Sequence, residues 1–263
     1  MVDLLRRQGM GVNGSAVPLK RRVRRGVRRL GLDVHRYLPE RDFDARRMCH
    51  LRDQRVDVVV DGGANVGQWA LDLRSCGYRG LILSFEPVTD AFVGLCTSSQ
   101  EDPSWRCIQA ALGDTDGDAR MHVAGNSLSS SLLDMEPVHV AAAPQSGYVR
   151  SETVKVVRLD TVVPNVVPAG STLALKLDLQ GYEAAALAGA AGILSSVRLV
   201  ECELSVVPLY RGQPLYVEMI DLLAGLGFVM IGLSEGMIDP STGCLMQIDA
   251  VFVRGGRPPA SPR

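Results

Sequence analysis

The chain has 263 residues, 46% of them hydrophobic, and its charges almost balance, with a formal net charge of −1 at pH 7. This size suits one large α/β domain or two small ones, and no apolar run reaches the length of a membrane span. The six cysteines are scattered without a C-x-x-C pair and the N-terminus lacks the apolar core of a signal peptide, so we expect a cytoplasmic protein with reduced thiols and no zinc site.

The N-terminal extension, residues 1–36, is strongly basic, with nine Arg and one Lys against two acidic residues. Val23, Val27 and Leu30 recur at helical spacing among the arginines. Segment 20–30 is expected either to pack on its own domain or on a partner subunit of a homo-oligomer, or to lie on the inner face of an anionic membrane. Nucleic acid is not an expected partner, because no aromatic residues interleave with the arginines and the remaining chain is acidic.

Strands and helices alternate along the remaining chain. The predicted strands are 56–60, Leu81–Phe85, 105–110, 173–178, 197–204, 228–233 and 247–253. The predicted helices lie within 37–55, 69–75, 91–98, 182–189 and 215–226. Since the last two strands follow each other without a helix, the pattern predicts an α/β fold with a doubly wound, mostly parallel seven-stranded sheet and an antiparallel last strand.

Three stretches depart from this alternation. Residues 119–124 and 153–159 alternate like additional strands, whereas 160–170 is broken by prolines. The domain is expected to cover 37–254, and 255–263 forms a Gly/Pro-rich flexible tail.

The first predicted strand runs directly into a glycine-rich turn. Asp61 is followed by Gly62, Gly63 and Gly67, with Asn65 between the last two glycines. A turn of this kind lets backbone N–H groups approach a ligand closely, and the helix that follows favours a negative group at its N-terminus. The same glycines would also suit an ordinary strand–helix turn that binds no ligand.

Acidic residues stand at the ends of four predicted strands: Asp61, Glu86, Asp178 and Glu203. The carboxyl ends of strands in an open α/β sheet form the edge at which ligands bind. Glu86 follows Gly67 by 19 residues, a position from which an acid can accept both ribose hydroxyls of an adenosine ligand. The glycine spacing does not fit G-x-G-x-x-G, which argues against the alternative of an NAD-type oxidoreductase.

Four ordered motifs resemble the FkbM family of S-adenosylmethionine (SAM)-dependent O-methyltransferases. They lie at 61–67, 84–87, 110–114 and 175–183, and the resemblance extends over roughly 56–253. It implies a Rossmann-like class I methyltransferase fold with SAM as the methyl donor. The residues implied to bind SAM are Asp61, Gly62, Gly63, Asn65, Gly67, Glu86, Pro87, Ala110, Ala111 and Leu112.

The resemblance also implies transfer to a hydroxyl of a sugar. The chain resembles actinobacterial sugar methyltransferases that act on rhamnose or related deoxysugars, which implies a deoxysugar in a glycolipid or natural product as the acceptor. Tyr182 departs from the family pattern, in which a small residue is usual, and is expected to narrow the pocket or stack on the acceptor. A noncatalytic interaction protein with a SAM-binding fold is the alternative from another class.

A sugar hydroxyl stays protonated near neutral pH, so a base or a metal should assist its deprotonation. Asp178 is the first candidate for the base and Glu203 the second, while Glu183 could orient either of them. Alternatively, Asp178 and Glu203 could share a Mg²⁺ ion that binds the acceptor hydroxyl, because Mg²⁺ prefers hard oxygen ligands.

Four further side chains have open roles. Lys176 and Glu183 are expected either to form an ion pair that holds the turn after the fourth main strand or to take part in catalysis. His122 and His139 flank the serine-rich loop 126–132. Either histidine could act as a base, but surface positions are expected for both.

Overall fold

The computed structural model describes residues 27–32 and 37–255. Most of segment 20–30 and most of the predicted tail lie outside the described residues. The chain divides into two compact units, Met1–Pro39 and Glu40–Arg263, and the features below belong to the second. No helix among the described residues is long and apolar enough to cross a membrane.

The second unit contains the following elements in chain order. The helices are α1 (Phe43–Asp53), α2 (Gln68–Ser75), α3 (Thr89–Ser99), α4 (Pro137–Ala142), α5 (Leu159–Val166), α6 (Glu183–Ala188) and α7 (Tyr216–Gly225). The strands are β1 (Val58–Gly62), β2 (Leu81–Phe85), β3 (Trp105–Ile108), β4 (Ala111–Leu112), β5 (Gly117–Ala124), β6 (Tyr148–Val157), β7 (Leu173–Leu177), β8 (Val197–Ser205), β9 (Phe228–Glu235) and β10 (Gln247–Arg254). Short 3₁₀ turns lie at Pro144–Ser146 and Leu194–Ser196.

Seven strands form the main sheet, in the order β3-β2-β1-β7-β8-β10-β9. The strands are parallel except β10, which runs antiparallel to both β8 and β9. The predicted doubly wound, mostly parallel seven-stranded sheet with an antiparallel last strand is therefore confirmed. Strand order reverses between β1 and β7, and a crevice at such a reversal is where open α/β sheets bind ligands.

Helices cover both faces of the main sheet. Val60 and Leu175 face the layer that contains α5, α6 and α7. Val59 and Ala174, the alternate residues of the same strands, face the layer formed by α1, α2 and α3. Because both faces are buried, β1 and β7 are continuous apolar runs until a charged residue appears near the carboxyl end of each.

A second, three-stranded sheet has the order β4-β6-β5. The predicted strand 105–110 is wrong in extent, because β3 ends at Ile108 and the chain then enters β4 of the second sheet. The extra stretch 119–124 lies within β5, whereas the stretch 153–159 is wrong in extent, because β6 ends at Val157 and Leu159 begins α5. β5 and β6 pair antiparallel along most of their length. Their alternation was visible in sequence, but their pairing with each other outside the main sheet was not.

Helix α5 lies within the stretch predicted to be broken by prolines. Leu159 and Val163 of this helix are buried in the core, and each such burial stabilises the fold by roughly 1.5–3 kcal/mol. Pro164 lies inside the helix, where a proline lacks the N–H for one hydrogen bond of the ladder and its ring crowds the carbonyl four residues earlier. The two buried side chains offset that loss.

The glycine turn after β1 packs directly on the residue that follows β7. Gly63 has a φ of +71°, and a Cβ atom there would lie 1.9 Å from the carbonyl oxygen of Asp178. The Asp178 N–H donates to the carbonyl of Gly62 at 3.3 Å. Gly67 has a φ of +91°, and its Cβ would lie 2.9 Å from the Trp105 ring. The two glycines are therefore required by backbone angle and close packing together.

Gly63→Ala should destabilise the protein by more than about 3 kcal/mol, because backbone strain costs about 1–3 kcal/mol and the Asp178 carbonyl must also move. Gly117→Ala is the matched control, since a Cβ there meets nothing within 4 Å; its effect should stay within about 0.5 kcal/mol. Chemical denaturation measures both values. Similar losses of stability in the two variants would contradict the close approach of Gly63 to the Asp178 carbonyl.

Candidate active site

Charged side chains gather on one face of the main sheet near its carboxyl edge. Asp61 of β1 is the register partner of Lys176 of β7, which in turn is the partner of Glu201 of β8. Two residues further along, Glu203 of β8 is the partner of Asp249 of β10. Since residues i and i+2 of a strand share a face, these side chains all lie on the side covered by α1 and α2.

Lys176 is the centre of this charged group. Its ammonium is 3.2 Å from Asp61 Oδ1 and donates to the carbonyls of Gly62 at 3.2 Å and Gly63 at 3.1 Å. Burial alone would lower the pKa of Lys176, but the carboxylates of Asp61 and Asp178 raise it above its ordinary value. The ammonium thus ties the glycine turn to β7. The expected ion pair with Glu183 is wrong, because Lys176 pairs with Asp61 instead.

Asp61 lies beneath the glycine turn. It is fully buried and also accepts a hydrogen bond from the Ser84 hydroxyl at 2.9 Å. Its position lets it hold Lys176, and it lines neither of the cavities described below.

Glu183 holds the loop between β7 and α6 from inside. Its Oε1 accepts hydrogen bonds from the N–H groups of Leu179 at 2.7 Å and Gly181 at 3.2 Å. Burial raises the pKa of Glu183 to about 7. The side chain lines neither cavity, so it is placed to shape this loop rather than to contact a ligand.

The first cavity lies beside the glycine turn. Seven of the ten residues predicted to bind the cofactor line it: Gly63, Asn65, Glu86, Pro87, Ala110, Ala111 and Leu112. Of the other three, Asp61 and Gly62 lie behind the turn, and Gly67 begins α2 with its backbone packed on Trp105. The cavity therefore has an apolar wall, a glycine-rich wall and a carboxylate.

Glu86 is the carboxylate of the first cavity. Its Oε2 accepts from the Asn65 N–H and its Oε1 from the Val88 N–H, both at 2.8 Å. Burial raises the pKa of Glu86 to about 7, although these two N–H donors favour the ionised form. Each oxygen keeps a lone pair for a further donor, as a ribose-binding carboxylate requires.

The serine-rich loop 126–132 closes over the first cavity. Asn65 Nδ2 donates to the Ser127 hydroxyl at 3.1 Å, and both residues have positive φ angles, +48° and +58°. Ser130 and Leu132 line the cavity from the same loop. Sequence indicated this loop as a candidate region without showing that it contacts the glycine turn.

The second cavity, of about 340 Å³, lies on the other side of Asp178. Carboxylates dominate its lining, including Glu203 and the partly buried Asp249. Burial and the nearby carboxylates of Asp178 and Glu201 raise the pKa of Asp249 to about 6. Asp178 and Gln68 line both cavities, so Asp178 stands where the two meet.

One wall of the second cavity is built by residues that the sequence did not single out. Arg47 Nη1 and Trp69 Nε1 both donate to Glu201 Oε1 at 2.9 Å. The Arg47 guanidinium also lies over the Trp69 ring, 5.1 Å from its centroid. Arg47 comes from α1, far from every motif, and no spacing in the sequence links it to Glu201.

The residues predicted to share Mg²⁺ do not fit that ion. Asp178 Oδ1 and Glu203 Oε2 both accept hydrogen bonds from the side-chain amide nitrogen of Gln180, at 2.7 Å and 2.8 Å. An N–H donor thus stands where a shared cation would lie. No group of three or more His, Cys, Asp or Glu in the described part of the chain could hold a metal ion.

The two histidines lie away from the cavities. His139 is buried, with its ring edge-on to Tyr210 at 5.2 Å, so the expected surface position is wrong for this residue. Burial lowers the pKa of His139, which favours the neutral ring in this apolar cluster. His122 is half-buried and stacks on Tyr148 at 4.8 Å.

The sequence was compared with family models and with curated proteins. A model described as the methyltransferase FkbM domain matches residues 61–230, more than half of the chain. No curated protein matches the chain significantly.

The chain is also similar to several solved structures, with which it shares little sequence. Magnesium protoporphyrin IX methyltransferase from Synechocystis PCC 6803 with bound SAM is 12% identical, with 91% of this chain and 99% of that chain covered and a TM-score of 0.41. Burkholderia thailandensis 1,6-didemethyltoxoflavin-N1-methyltransferase with S-adenosylhomocysteine is 12% identical, with 85% and 93% covered and a TM-score of 0.42. Aeropyrum pernix fibrillarin with SAM is 13% identical, with 74% and 66% covered and a TM-score of 0.40.

Lys176→Met should destabilise the fold by about 3–5 kcal/mol, because it leaves the buried Asp61 carboxylate without a cation. Adding Asp61→Asn should recover at least about 1 kcal/mol, since the two side chains interact directly. Urea denaturation of the two single variants and the double variant measures this coupling. If the losses of stability in the two single variants simply added in the double variant, the ammonium would act mainly through the glycine carbonyls.

Proposed function

This chain belongs to the FkbM methyltransferase family, and we propose that it transfers the methyl group of SAM to a hydroxyl of a sugar. The acceptor is a deoxysugar such as rhamnose, carried by a glycolipid or natural product. Membership of the family makes the protein a SAM-dependent methyltransferase; the proposal adds the acceptor and the residues that act on it. One observation carries the proposal, namely that Asp178 lines both cavities.

The first cavity fits SAM. Glu86 offers two carboxylate oxygens at the end of β2 for the ribose, and Ala110, Ala111 and Leu112 offer an apolar wall for the adenine. The absence of a side chain at Gly63 lets the ligand approach the backbone of the turn. When bound, SAM supplies a methyl group that is already activated on a sulfonium.

The second cavity suits a polyhydroxylated acceptor. Its volume of about 340 Å³ and its carboxylate-rich lining allow several hydroxyls to donate hydrogen bonds at once. Trp69 also lines this cavity, and an aromatic ring can pack against the apolar face of a sugar. Holding the acceptor beside Asp178 would align its oxygen with the methyl donor, which can contribute several kcal/mol to catalysis.

Asp178 is the proposed base. It would accept the hydroxyl proton as the acceptor oxygen bonds to the methyl carbon and the carbon–sulfur bond breaks to leave S-adenosylhomocysteine. Asp178 has this role because it is the carboxylate at the meeting point of the cavities. Glu203 is the second carboxylate, and burial together with Asp178, Glu183 and Asp249 raises its pKa well above the ordinary value. A raised pKa means that Glu203 binds a proton more tightly than an exposed glutamate does, so Glu203 would receive the proton that leaves Asp178.

Two alternatives were open from the sequence. Family membership favours the methyltransferase over an NAD-type oxidoreductase. A noncatalytic SAM-fold protein would have no need for a carboxylate at the junction of two cavities. Contact of segment 20–30 with a membrane that carries the acceptor stays a prediction, as does a cytoplasmic location.

Purified protein incubated with methyl-labelled SAM should methylate glycosides of 6-deoxyhexoses such as rhamnose. The carboxylates of the second cavity accept hydrogen bonds from sugar hydroxyls, whereas they offer little to an apolar acceptor. Mass spectrometry of the products identifies the modified hydroxyl. If the protein methylated amines offered in the same assay but no sugar, the proposed acceptor would be refuted.

Asp178→Asn should lower turnover of the best acceptor by about 10²–10⁴-fold, the usual contribution of a positioned base. Binding of S-adenosylhomocysteine, measured by calorimetry, should change less than about threefold, or about 0.7 kcal/mol. Asp53→Asn, at the exposed end of α1, is the matched control and should behave as wild type. Unchanged turnover in Asp178→Asn would remove Asp178 as the base.

Affinity for S-adenosylhomocysteine should rise as the pH increases through about 7, the pKa of Glu86. Ribose hydroxyls donate to the ionised carboxylate, so binding favours loss of the Glu86 proton and is weaker where that proton is present. Calorimetry across this range measures the effect. Glu86→Gln should bind more weakly and lose this dependence; a variant that retains it would show that another group is responsible.

A further inference from the structure

Gln180 joins the two carboxylates proposed to act on the acceptor. Its side-chain nitrogen donates to Asp178 Oδ1 at 2.7 Å and to Glu203 Oε2 at 2.8 Å. An amide nitrogen carries two hydrogens, so this one group satisfies both carboxylates. Gln247 Nε2 donates a further hydrogen bond to the same Glu203 oxygen at 2.7 Å.

The orientation of the Gln180 amide is fixed by its surroundings. Its carbonyl oxygen accepts from the hydroxyl of Tyr210 at 2.6 Å, and Tyr210 is fully buried. If the amide were turned over, its oxygen would face two carboxylate oxygens, which would repel it. The hydrogen-bond network therefore directs the nitrogen to the carboxylates.

The backbone of Gln180 is held in an unusual conformation. Its φ is +54°, a region that residues other than glycine rarely adopt, and Gly181 follows with a φ of +97°. The Gln180 carbonyl accepts from the Ser131 hydroxyl at 2.7 Å. Contacts at both the backbone and the side chain thus fix the amide at the point where Asp178 and Glu203 converge, and strained conformations of this kind concentrate at functional sites.

We propose that the Gln180 amide takes the place of a divalent cation between Asp178 and Glu203, so that methyl transfer at this site needs no metal. Oxygens that share a cation converge on one positive centre; here Asp178 Oδ1 and Glu203 Oε2 converge on the two N–H groups of one amide nitrogen. Gln180 is a positioning residue, because it acts through the two carboxylates. The claim that methyl transfer needs no metal rests on the proposed function. The claim that Asp178 and Glu203 bind no divalent cation does not, because it concerns only these residues and Gln180.

An amide differs from a cation in a way that suits proton transfer. The charged and titratable groups that face Glu203 are Asp178, Glu183, Asp249, Lys176 and Tyr210. In this largely acidic surrounding, two N–H donors orient the carboxylates without removing their charge. A bound dication would neutralise that charge and hold both carboxylates ionised, which would weaken them as proton acceptors.

The test uses Mn²⁺ as the probe, with paramagnetic resonance as the readout, on the full chain with and without S-adenosylhomocysteine. Wild type should show no Mn²⁺ site with a dissociation constant below about 1 mM. Gln180→Glu keeps the shape of the side chain but presents a third carboxylate to the same point. It should gain one Mn²⁺ site at least about tenfold tighter than any in wild type, and adding Asp178→Asn should remove that site.

Gln180→Asn is the second variant, since asparagine tolerates a positive φ but is one methylene too short to reach both carboxylates. It should bind S-adenosylhomocysteine within about threefold of wild type, gain no metal, and lose about 10²-fold in turnover of a 6-deoxyhexose glycoside. EDTA should leave wild-type turnover unchanged.

Several results would overturn the inference. One is a stoichiometric wild-type Mn²⁺ site that disappears in Asp178→Asn. Others are a Gln180→Glu protein that binds S-adenosylhomocysteine but no Mn²⁺, or loss of turnover in EDTA with recovery in Mg²⁺. If no variant and no wild-type sample transfers methyl to any sugar, the proposed function fails, while the Mn²⁺ result still decides the role of Gln180.

Discussion

The buried ammonium of Lys176 is the constraint on which the arrangement of the site depends. It neutralises Asp61 beneath the glycine turn and donates to two carbonyls of that turn. Without this ammonium, the inward-facing carbonyls of the turn and the fully buried Asp61 carboxylate would be polar groups without a partner cation. Because Lys176 belongs to β7, the same ammonium sets the turn against Asp178, two residues further along. The glycine turn and Asp178, the proposed base, are therefore both held in place by the Lys176 ammonium.

The alternation of apolar and turn residues was sufficient to predict the main sheet and its antiparallel last strand, because central strands such as β1, β2 and β7 are short apolar runs that end at or next to a charged residue. The glycines at 63 and 67 and the acid at 86 were also found from spacing. The second sheet was not predicted, since strand pairing across the chain leaves no local signal. Arg47, Gln180 and Asp249 were missed for the same reason: their roles depend on register between distant strands and on a helix that packs beside them.

Acidic groups are concentrated near the carboxyl edge of the main sheet, and their burial lowers the stability of the fold. Burial raises the pKa of Glu86 and Glu183 to about 7 and that of Asp249 to about 6. For acids whose pKa is higher in the folded state, the unfolded chain loses protons first, so stability declines as the pH rises from about 4.5 towards 7. The amide donors Gln180 and Gln247 hydrogen-bond a further buried acid of this edge, Glu203, without adding a permanent opposite charge. The acidic edge is thus kept open to ligands that donate hydrogen bonds.

The direct contact between Gly63 and the Asp178 carbonyl has a consequence for how such an enzyme can diversify. No side chain can be inserted between the two halves of the site, so changes that retain methyl transfer must occur at its periphery. Helix α1 and the strands β9 and β10 line the second cavity away from this contact. New acceptor preferences would therefore arise by exchange of these peripheral segments around an invariant junction, and libraries for altered acceptor choice are best restricted to them.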